Sequence, residues 1–347
     1  MIKDLLSDGK SAFLFTDSVA LRYFTGVKID EGFLVLSNKA TCFTDARYFY
    51  AAKQALNKKG IDCVLYDGLH CVKEFLLGTG AKRLYLDFDK TTLSEYNKYK
   101  DFGLELLDGT SAFYRQRCVK RSDEIESIKK ACAITQRAFY DAVGKLKVGM
   151  TELEFAKLID DGCTLLGAEK PAFNTIVAFG EHSAVPHHQT GNTPLVANTV
   201  ILVDTGCVVN GYCSDYTRTF YFGKPSEKFI KSYDAVLQAN LLATKSIKVG
   251  TSTVQADGFA RSYLDGLGVA KYFTHSLGHG VGMEVHEVPT LSPRLTLDST
   301  LKQGMVFSIE PGLYYDGEFG IRIEDTVVLT NGGVQRLFTD EKNLMII

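Results

Sequence analysis

The second part of this 347-residue chain contains one stretch twice. LKVGMTELEFAKLIDDGCTLLGAEK, from Leu146, aligns without a gap with IKVGTSTVQADGFARSYLDGLGVAK, from Ile247, at an offset of 101 residues. Helix, turn, helix and strand are predicted for both copies, with a capping box of Thr151 and Glu154 in the first and Thr251 as the cap in the second. Two copies are too few for a solenoid. The duplication therefore predicts an α+β domain with pseudo-twofold symmetry, whose central seam is a natural place for a site.

The length of the chain predicts two domains, each able to bury its own core. Residues 1–114 alternate amphipathic stretches with the short apolar runs AFLF, GFLVLS, DCVLY and RLYLDF, which is typical of a small α/β domain. The basic segment RQRCVKR, at residues 115–121, is predicted to be a linker. Ser122 is then expected to cap the helix that begins the second domain, residues 122–347.

Composition excludes several classes of protein. Hydrophobic residues make up 45% of the chain, charged residues 23%, and the net charge is −2, so nothing favours a nucleic acid or an anionic membrane as partner. No apolar run approaches the ~18 residues that a membrane span needs. The opening MIKDLLSDGK does not have the pattern of a secretory signal. The eight cysteines form no CxxC pair, so free thiols in a reducing cytoplasm are expected.

The stretch HSLGHGVGMEVHE, residues 275–287, holds three of the seven histidines and three glycines. It fits neither helical nor strand periodicity, and it lacks the HExxH pattern of helical zinc sites. Clustered imidazoles indicate metal binding or acid–base chemistry, so further ligands are expected elsewhere in the chain. The glycines are expected to let an irregular backbone pass close to metal and substrate.

Two aspartates flank a predicted hairpin in NTVILVDTGCVVNGYCSDYTRTF. Asn210-Gly211 is a strong signal for a two-residue turn, which places Asp204 opposite Thr217. Asp215 is then a diagonal neighbour of Asp204 on the same face, about 7–8 Å away between Cβ atoms. The alternative is a turn-forming Asp204 and a solvated Asp215, but a carboxylate after VILV is costly to bury without a cation or hydrogen bonds.

Two glutamates follow in apolar strands. Glu310 ends the strand in MVFSIEPGLYY, and Glu324 lies inside the strand of FGIRIEDT, where Arg322 shares its face and Asp325 points away. A single strand glutamate beside an arginine is more often a surface salt bridge. Four acids that end or interrupt apolar strands, in a chain with a histidine-rich loop, favour a metal site instead.

In this order, VDTG with SDYTRTF, HSLGHGVGMEVHE, SIEPGLYY and GIRIEDT resemble the five ligand segments of the pita-bread dinuclear metallopeptidases. Within that group the chain most resembles the proline-specific branch of aminopeptidase P and prolidase. SVALRYFTG and FTDARYFYAAKQ resemble that branch's N-terminal domain, so the resemblance covers nearly the whole chain. It implies an α/β creatinase-like N-terminal domain followed by an α+β pita-bread catalytic domain with internal duplication.

The resemblance also implies a centre of two divalent metal ions. Carried over by position, its ligands are Asp204, Asp215, His279, Glu310 and Glu324. Four carboxylates and one imidazole favour Mn²⁺, with Co²⁺ or Zn²⁺ as alternatives. Such a centre activates a hydroxide for attack on a peptide carbonyl, with Glu310 as the general base.

Further residues are implied beside the substrate. His187 in EHSAVPHHQTG, His275 and His286 are implied substrate contacts, and Arg322 is an implied electrostatic support of the site. His187 lies 38 residues after the KVG turn of its copy and His286 lies 36 residues after the other. The duplication thus predicts that each half brings one histidine to the centre.

Several residues near these motifs are left without a matched role. His182 and His188 have no counterpart among the family's site residues. Phe173, Phe179 and Tyr216 are candidates for a proline pocket, although core packing is the commoner role of such side chains.

The implied function is a cytoplasmic, homodimeric exopeptidase that cleaves the Xaa-Pro bond at the N-terminus of short peptides, as aminopeptidase P does. The nearest alternative is a prolidase, which cleaves Xaa-Pro dipeptides. A metal-free peptide-binding or protein-binding module is the alternative of a different class, which the full set of five matched ligand positions disfavours.

Overall fold

The computed structural model describes residues 2–295 and 299–347 of the chain. The chain divides into two compact units, Met1–Arg117 and Cys118–Ile347. None of the helices in the described residues has the length and apolar character needed to cross a bilayer.

The first unit is an α/β structure built on one mixed sheet. Its elements, in chain order, are α1 (Ile2–Leu6), β1 (Ser11–Phe15), α2 (Ser18–Thr25), β2 (Phe33–Leu36), β3 (Ala40–Thr44), α3 (Ala46–Asn57), β4 (Asp62–Leu65), α4 (Leu69–Gly78), β5 (Arg83–Leu86), α5 (Leu93–Lys100), β6 (Glu105–Asp108) and α6 (Thr110–Cys118). The four apolar runs predicted as strands correspond to β1, β2, β4 and β5. The remaining two strands, β3 and β6, carry polar residues, and they were not among the predicted runs.

The sheet of the first unit has the strand order β4-β3-β2-β1-β5-β6. Strand β1 is antiparallel to β2 and parallel to β5. Alternate residues of β1 enter two different apolar clusters, Phe13 and Phe15 on one face and Ala12 and Leu14 on the other. The strand is therefore covered on both faces, as expected for the centre of an α/β sheet.

The predicted linker is not a separate connector. Its first four residues, 115–118, continue α6, and the division between the two units falls after Arg117. The next helix begins at Ser122 itself, so Ser122 is not the N-cap. Arg121 holds that position, and its backbone N–H donates to the Glu124 carboxylate at 2.6 Å.

The second unit combines two helix pairs with several small sheets. Its helices are α7 (Ser122–Val143), α8 (Glu152–Leu165), α9 (Glu227–Ser246) and α10 (Thr253–Gly266), with short 3₁₀ helices at Gly180–Ala184 and Ala270–Tyr272. Its strands are β7 (Lys170–Pro171), β8 (Ile176–Phe179), β9 (Thr199–Thr205), β10 (Cys207–Val209), β11 (Tyr212–Cys213), β12 (Tyr216–Phe222), β13 (Gly278–Gly280), β14 (Glu287–Leu291), β15 (Val306–Ile309), β16 (Gly312–Tyr315), β17 (Phe319–Arg322), β18 (Asp325–Thr330) and β19 (Gly333–Arg336). The strand orders are β11-β10-β7, β12-β9-β8, β14-β13-β15-β18-β19 and β16-β17.

The internal duplication is present in the backbone. Gly149 and Gly250 occupy matched turns with φ of +87° and +91°, a region in which a side chain is strained. The N–H of Gly149 donates to the Leu195 carbonyl, and that of Gly250 donates to the Leu301 carbonyl, each at 2.9 Å. The two helix pairs also have separate apolar cores, one on α7 and α8 and the other on α9 and α10.

The two helix caps differ in one detail from the prediction. Thr151 and Glu154 form the predicted capping box at the start of α8. In the second copy the cap is Ser252, which pairs with Gln255, rather than Thr251. The Thr251 hydroxyl instead accepts a hydrogen bond from the Lys248 N–H at 3.0 Å, within the turn that precedes the helix.

Candidate metal centre

The predicted hairpin places two aspartates at the centre of the second unit. Asn210 and Gly211 form its two-residue turn with φ of 53° and 84°, and Thr217 of β12 is opposite Asp204 of β9, as predicted. Asp215 immediately precedes β12, where its backbone N–H donates to the Thr326 hydroxyl at 3.2 Å. The first half of the duplication thus supplies two buried or nearly buried carboxylates.

The second half supplies the other three predicted ligands from within or beside its strands. His279 lies in the middle of β13, Glu310 directly follows β15, and Glu324 lies between β17 and β18. The Glu324 N–H donates to the Thr217 carbonyl at 3.1 Å, which connects it to the hairpin of the first half. Asp325 points away from Glu324, as predicted, and pairs with Arg218 at 2.8 Å.

The imidazole of His279 is oriented toward the carboxylates. Its Nδ1 is 3.1 Å from the Gly280 carbonyl, to which it donates, so Nε2 is the nitrogen free to accept or bind. Nε2 is 3.1 Å from Glu310 Oε1 and 3.6 Å from Asp215 Oδ2. Asp215, His279 and Glu324 offer ligand atoms that all lie within 4.8 Å of one another. A backbone carbonyl that fixes the second nitrogen is the arrangement expected of a metal-binding histidine.

A second network joins the remaining acids. Arg322 Nη2 donates to Asp204 Oδ2 at 2.6 Å, and Arg322 Nε donates to the Thr217 hydroxyl at 3.0 Å. That hydroxyl donates in turn to Glu324 Oε2 at 2.6 Å. Arg322 therefore lies beside the acids, as predicted, and balances part of their charge.

The donor set fits a cation because some of its oxygens are left without partners. Asp204 Oδ1 and Glu324 Oε1 are buried and make no hydrogen bond within the described residues. Burial and the neighbouring carboxylates raise the pKa of Asp215 and of Glu324 well above the usual range. Buried, mutually repelling carboxylate oxygens without donors are stabilised by divalent cations, so the residues present suit a metal centre.

The glycines of the histidine-rich stretch have a different role from the one predicted. Gly278 and Gly280 lie in strand β13, with a bulge between His279 and Gly280, rather than in irregular backbone. A Cβ on Gly278 would lie 2.0 Å from the Ser308 carbonyl oxygen, and one on Gly280 would lie 2.3 Å from that of Val288. These glycines permit close approach of neighbouring backbone, which carries His279 into the site.

His275 is engaged on both ring nitrogens. Its Nδ1 donates to the Ser276 carbonyl at 2.8 Å, and its Nε2 is 2.9 Å from the Tyr314 hydroxyl. The same hydroxyl accepts a hydrogen bond from Arg322 Nη1 at 2.9 Å. His275 is thus tied to the Asp204 network through Tyr314, and a direct hydrogen bond from its ring to a substrate would require the Tyr314 bond to open.

His187 and His286, in contrast, lie at the surface of the catalytic unit. Both side chains are exposed, and neither makes a hydrogen bond to the described residues. Burial and the charge of His279 lower the pKa of His286, and His187 acts in the same direction, so the three imidazoles are close enough to interact. His187 likewise contributes to lowering the pKa of His275, after burial and the charge of Arg322.

Sequence reasoning missed some residues of this region and overestimated others. Tyr314 was not predicted, because Glu310 and Pro311 separate its strand from β15. Phe179 and Tyr216 are buried in the apolar core that contains α7 and α8, whereas Phe173 is half-buried. His182 and His188, which the sequence left without a matched role, both bond to the buried Glu152.

Comparisons with known proteins agree with this architecture. Residues 126–331 match Metallopeptidase family M24, and residues 2–119 match the Creatinase/Prolidase N-terminal domain. The chain is 34% identical to the Xaa-Pro dipeptidase of Pyrococcus furiosus, over 94% of this chain and 93% of the relative. Among solved structures, the Xaa-Pro dipeptidase of Bacillus anthracis has a TM-score of 0.95 at 31% identity, covering 100% of this chain and 98% of the other. The X-Pro aminopeptidase of Thermotoga maritima has a TM-score of 0.90 at 33% identity and covers 98% of each chain. The chain therefore belongs to metallopeptidase family M24 and carries that family's pita-bread catalytic fold behind a creatinase-type N-terminal domain.

Proposed function

We propose that this protein is a metal-dependent exopeptidase that hydrolyses the Xaa-Pro bond at the N-terminus of short peptides. The observation that carries the proposal is the grouping of Asp215, His279 and Glu324, with Glu310 3.1 Å from His279. Asp204 Oδ1 and Glu324 Oε1 are buried there without hydrogen-bond partners among the described residues. Similarity to proteins named Xaa-Pro dipeptidase and X-Pro aminopeptidase supports the substrate class.

The proposed ligands are Asp204, Asp215, His279, Glu310 and Glu324. When bound there, two divalent cations, Mn²⁺ in this proposal, supply Lewis acidity and a water that ionises near neutral pH. The oxygen-rich donor set favours a hard cation. The assignment of His279 Nε2 as the ligand atom is supported by the hydrogen bond that Nδ1 of the same ring makes to a backbone carbonyl.

Glu310 is the proposed general base. Although burial opposes its charge, the hydrogen bond and charge of His279 lower its pKa in the metal-free protein. In the loaded protein, bound cations would replace the proton of His279 and keep the carboxylate ionised, so that it can accept a proton. The Ser308 hydroxyl donates to Glu310 Oε1 at 2.9 Å, and His279 is 3.1 Å from the same oxygen. The Ser308 hydrogen bond orients the carboxylate, which takes and relays the proton in addition to its proposed role as a ligand.

His187 and His286 are the proposed substrate contacts. Because neither ring has a hydrogen-bond partner among the described residues, both can donate to the carbonyl groups of a bound peptide. His275 acts with them through Tyr314, whose hydroxyl links it to Arg322. Arg322 holds Asp204 in place and contributes positive charge close to the reacting carbonyl.

Proline in the substrate explains why such a site differs from that of a general peptidase. The bond before proline has no N–H, so recognition through an extended backbone hydrogen bond fails there. Exposed imidazoles can donate hydrogen bonds to the carbonyl oxygens of the substrate, and this recognition does not require an N–H before the proline.

A dipeptidase is the second candidate, and the names of relatives favour it. The Xaa-Pro dipeptidase of Pyrococcus furiosus is 34% identical over 94% of the chain, and that of Pyrococcus horikoshii is 40% identical over 66% of the chain. Aminopeptidase P activity, the leading hypothesis from sequence, is supported by the similarity to the Thermotoga maritima structure. The two activities differ in whether a residue is accepted after the proline.

The test compares Ala-Pro, Ala-Pro-Ala and Met-Ala-Ser with protein stripped of metal and then reloaded with Mn²⁺. Cleavage of Ala-Pro-Ala to Ala and Pro-Ala supports the aminopeptidase, and cleavage of Ala-Pro alone supports the dipeptidase. Met-Ala-Ser controls for a preference unrelated to proline. The proposal is wrong if neither proline substrate is cleaved after metal content has been confirmed by elemental analysis.

A further inference from the structure

One buried carboxylate holds the segment that carries His187. Glu152 accepts hydrogen bonds from the backbone N–H groups of Phe179 at 2.9 Å and Gly191 at 3.0 Å, which bracket the segment. Within the segment, His182 Nδ1 is 2.8 Å from one oxygen of Glu152, and His188 Nε2 is 2.9 Å from the other. Residues 179–191 are therefore held at four points by a single side chain.

Glu152 suits this task because it is rigid and fully buried. It is the first residue of α8, directly after the Thr151 cap, and its exposed fraction is 0%. Although burial by itself raises its pKa, the hydrogen bonds from His188, Phe179, His182 and Gly191 together lower it. The ionised carboxylate can accept hydrogen bonds from all four donors. Such charge-assisted hydrogen bonds are stronger than those between neutral groups.

The position of His187 depends on this anchoring. Because its own ring makes no hydrogen bond to the described residues, its direction is set by its backbone. The next residue, His188, is fixed by Glu152, and the preceding carbonyl, that of Pro186, lies 3.4 Å from Arg322 Nη1. His187 is thus held between an anchor on α8 and an arginine of the candidate metal centre.

We propose that Glu152, acting through His188, is a positioning residue that aims His187 at the substrate. This inference rests on the proposed role of His187 as a substrate contact. Glu152 touches neither the substrate nor the reacting atoms, and its effect is to fix the donor geometry before the peptide binds. Preorganised donors of this kind lower the activation free energy, because no reorganisation is needed during the reaction.

The second half of the molecule contains a parallel arrangement. Asp257 on α10 is buried and accepts a hydrogen bond from the Leu277 N–H at 3.0 Å. Asp257 also binds Arg261, which donates to the His275 carbonyl at 2.7 Å. In both halves, then, a buried carboxylate on the second helix of the duplicated pair anchors the backbone of a histidine segment.

Glu152, His182 and His188 also have ligand atoms within 4.8 Å of one another, so a cation bound among them is the competing interpretation. Two features favour a hydrogen-bond anchor. Both oxygens of Glu152 already accept a backbone N–H as well as an imidazole, and the two imidazoles are stacked with centroids 4.4 Å apart. A cation would have to displace the imidazole protons from a carboxylate that is already fully hydrogen-bonded.

The experiment is a double-mutant cycle between His187→Ala and His188→Leu in the full-length, Mn²⁺-loaded protein, assayed on Ala-Pro and Ala-Pro-Ala. His188→Leu removes the donor to Glu152, whereas His188→Gln keeps an Nε2 donor and is the matched rescue variant. We expect His188→Leu to lower kcat/KM by about tenfold to a hundredfold, as a displacement near 1 Å would. His188→Gln should recover most of that loss, and the double variant should be no worse than His187→Ala alone.

A substitution of a buried carboxylate outside the candidate site serves as the control for a general loss of stability. Glu124→Gln alters a side chain that is 1% exposed and accepts a hydrogen bond from the Tyr212 hydroxyl at 2.7 Å. It should lower the free energy of unfolding and leave kcat/KM unchanged. The positioning role is overturned if the losses in the double variant multiply, or if His188→Leu reduces the number of bound metal ions, which would indicate the cation site. If His187→Ala retains wild-type kcat/KM, it is the proposed substrate role of His187 that fails.

Discussion

At the scale of single residues, two neighbouring histidines illustrate how surroundings set chemistry. The rings of His279 and His286 have centroids 4.3 Å apart and meet edge to face. His279 is directed by the Gly280 carbonyl and faces Glu310 and Asp215, whereas His286 is exposed and has no hydrogen-bond partner in the described part of the chain. Proximity alone therefore does not give the two residues the same role.

This difference predicts that alanine substitution of the two histidines affects metal content differently. His279→Ala should lose bound metal and all activity, because it removes the one imidazole among the proposed ligands. His286→Ala should retain the full metal content but lower kcat by about a hundredfold, the scale of one lost transition-state donor. Elemental analysis and steady-state kinetics on the same preparations measure both effects. Equal loss of metal in the two variants would contradict the assignment.

The charge on His279 also predicts how metal loading depends on pH. Burial lowers the pKa of His279, but the hydrogen bond and charge of Glu310, together with Asp215, outweigh burial and raise it to about 9 in the metal-free protein. A ligand imidazole must be neutral, so metal binding has to release this proton. The apparent affinity for Mn²⁺ should therefore increase as pH rises toward about 9.

Isothermal titration calorimetry in buffers of different ionisation enthalpy measures the released protons directly. We expect at least about one proton per loaded site at pH 7. An affinity that does not change between pH 6 and pH 8, with no proton release, would show that His279 is already neutral in the metal-free protein.

At the scale of elements, the position of β13 depends on the absence of side chains on its glycines. A Cβ on Gly278 would lie 2.0 Å from the carbonyl oxygen of Ser308, a backbone atom that cannot turn away as the end of a side chain can. Gly258, inside helix α10, has nothing within 4 Å of the same atom. The two glycines are therefore present for different physical reasons.

Substitution of these two glycines by alanine should have opposite effects. Gly278→Ala should lower the free energy of unfolding by about 3 kcal/mol or more and impair metal loading, because β13 carries His279. Gly258→Ala should raise the free energy of unfolding by about 0.5–1 kcal/mol, since alanine is the better helix former. Chemical denaturation of both variants measures the effects, and a neutral Gly278→Ala would show that β13 can shift away from β15.

Features fixed by local chain geometry were predictable from the sequence, whereas contacts between distant elements were not. The Asn210-Gly211 hairpin was predictable with its register, because local turn geometry fixes which residues face each other. The cap of α10 was wrong by one residue, since two adjacent hydroxyls compete and Thr251 bonds within its own turn. The bond from His188 to Glu152 spans 36 residues, and no local pattern pairs two such distant side chains.

At the scale of the whole catalytic unit, the candidate centre joins two halves whose helix pairs pack in separate apolar clusters. Asp204 and Asp215 come from the first copy, and His279, Glu310 and Glu324 come from the second. Sequence reasoning located these residues through the resemblance, and the duplication supplied the reason for a central site. The network through Thr217, Tyr314 and Arg322 was not predictable, because it depends on how the strands of the two halves meet.

Because ligands come from both halves, metal should stabilise the seam between them more than any other part of the chain. Binding to the folded state alone stabilises it by RT ln(1 + [L]/Kd), about 2.7 kcal/mol when the metal is at 100 times Kd. Hydrogen exchange of the full-length protein with Mn²⁺ or with chelator measures this by segment. We expect slower exchange in β9, β12, β13 and β15 with metal, and unchanged exchange in β1 to β6, which carry none of the proposed ligands.

His279→Ala provides the control for that experiment. Because this variant should not hold metal, its exchange should be the same with Mn²⁺ and with chelator. Protection confined to the strands of one half would mean that the cations bind only the acids of that half. Protection in both halves of the wild-type protein, absent from the variant, would support a centre whose cations hold the duplicated halves together.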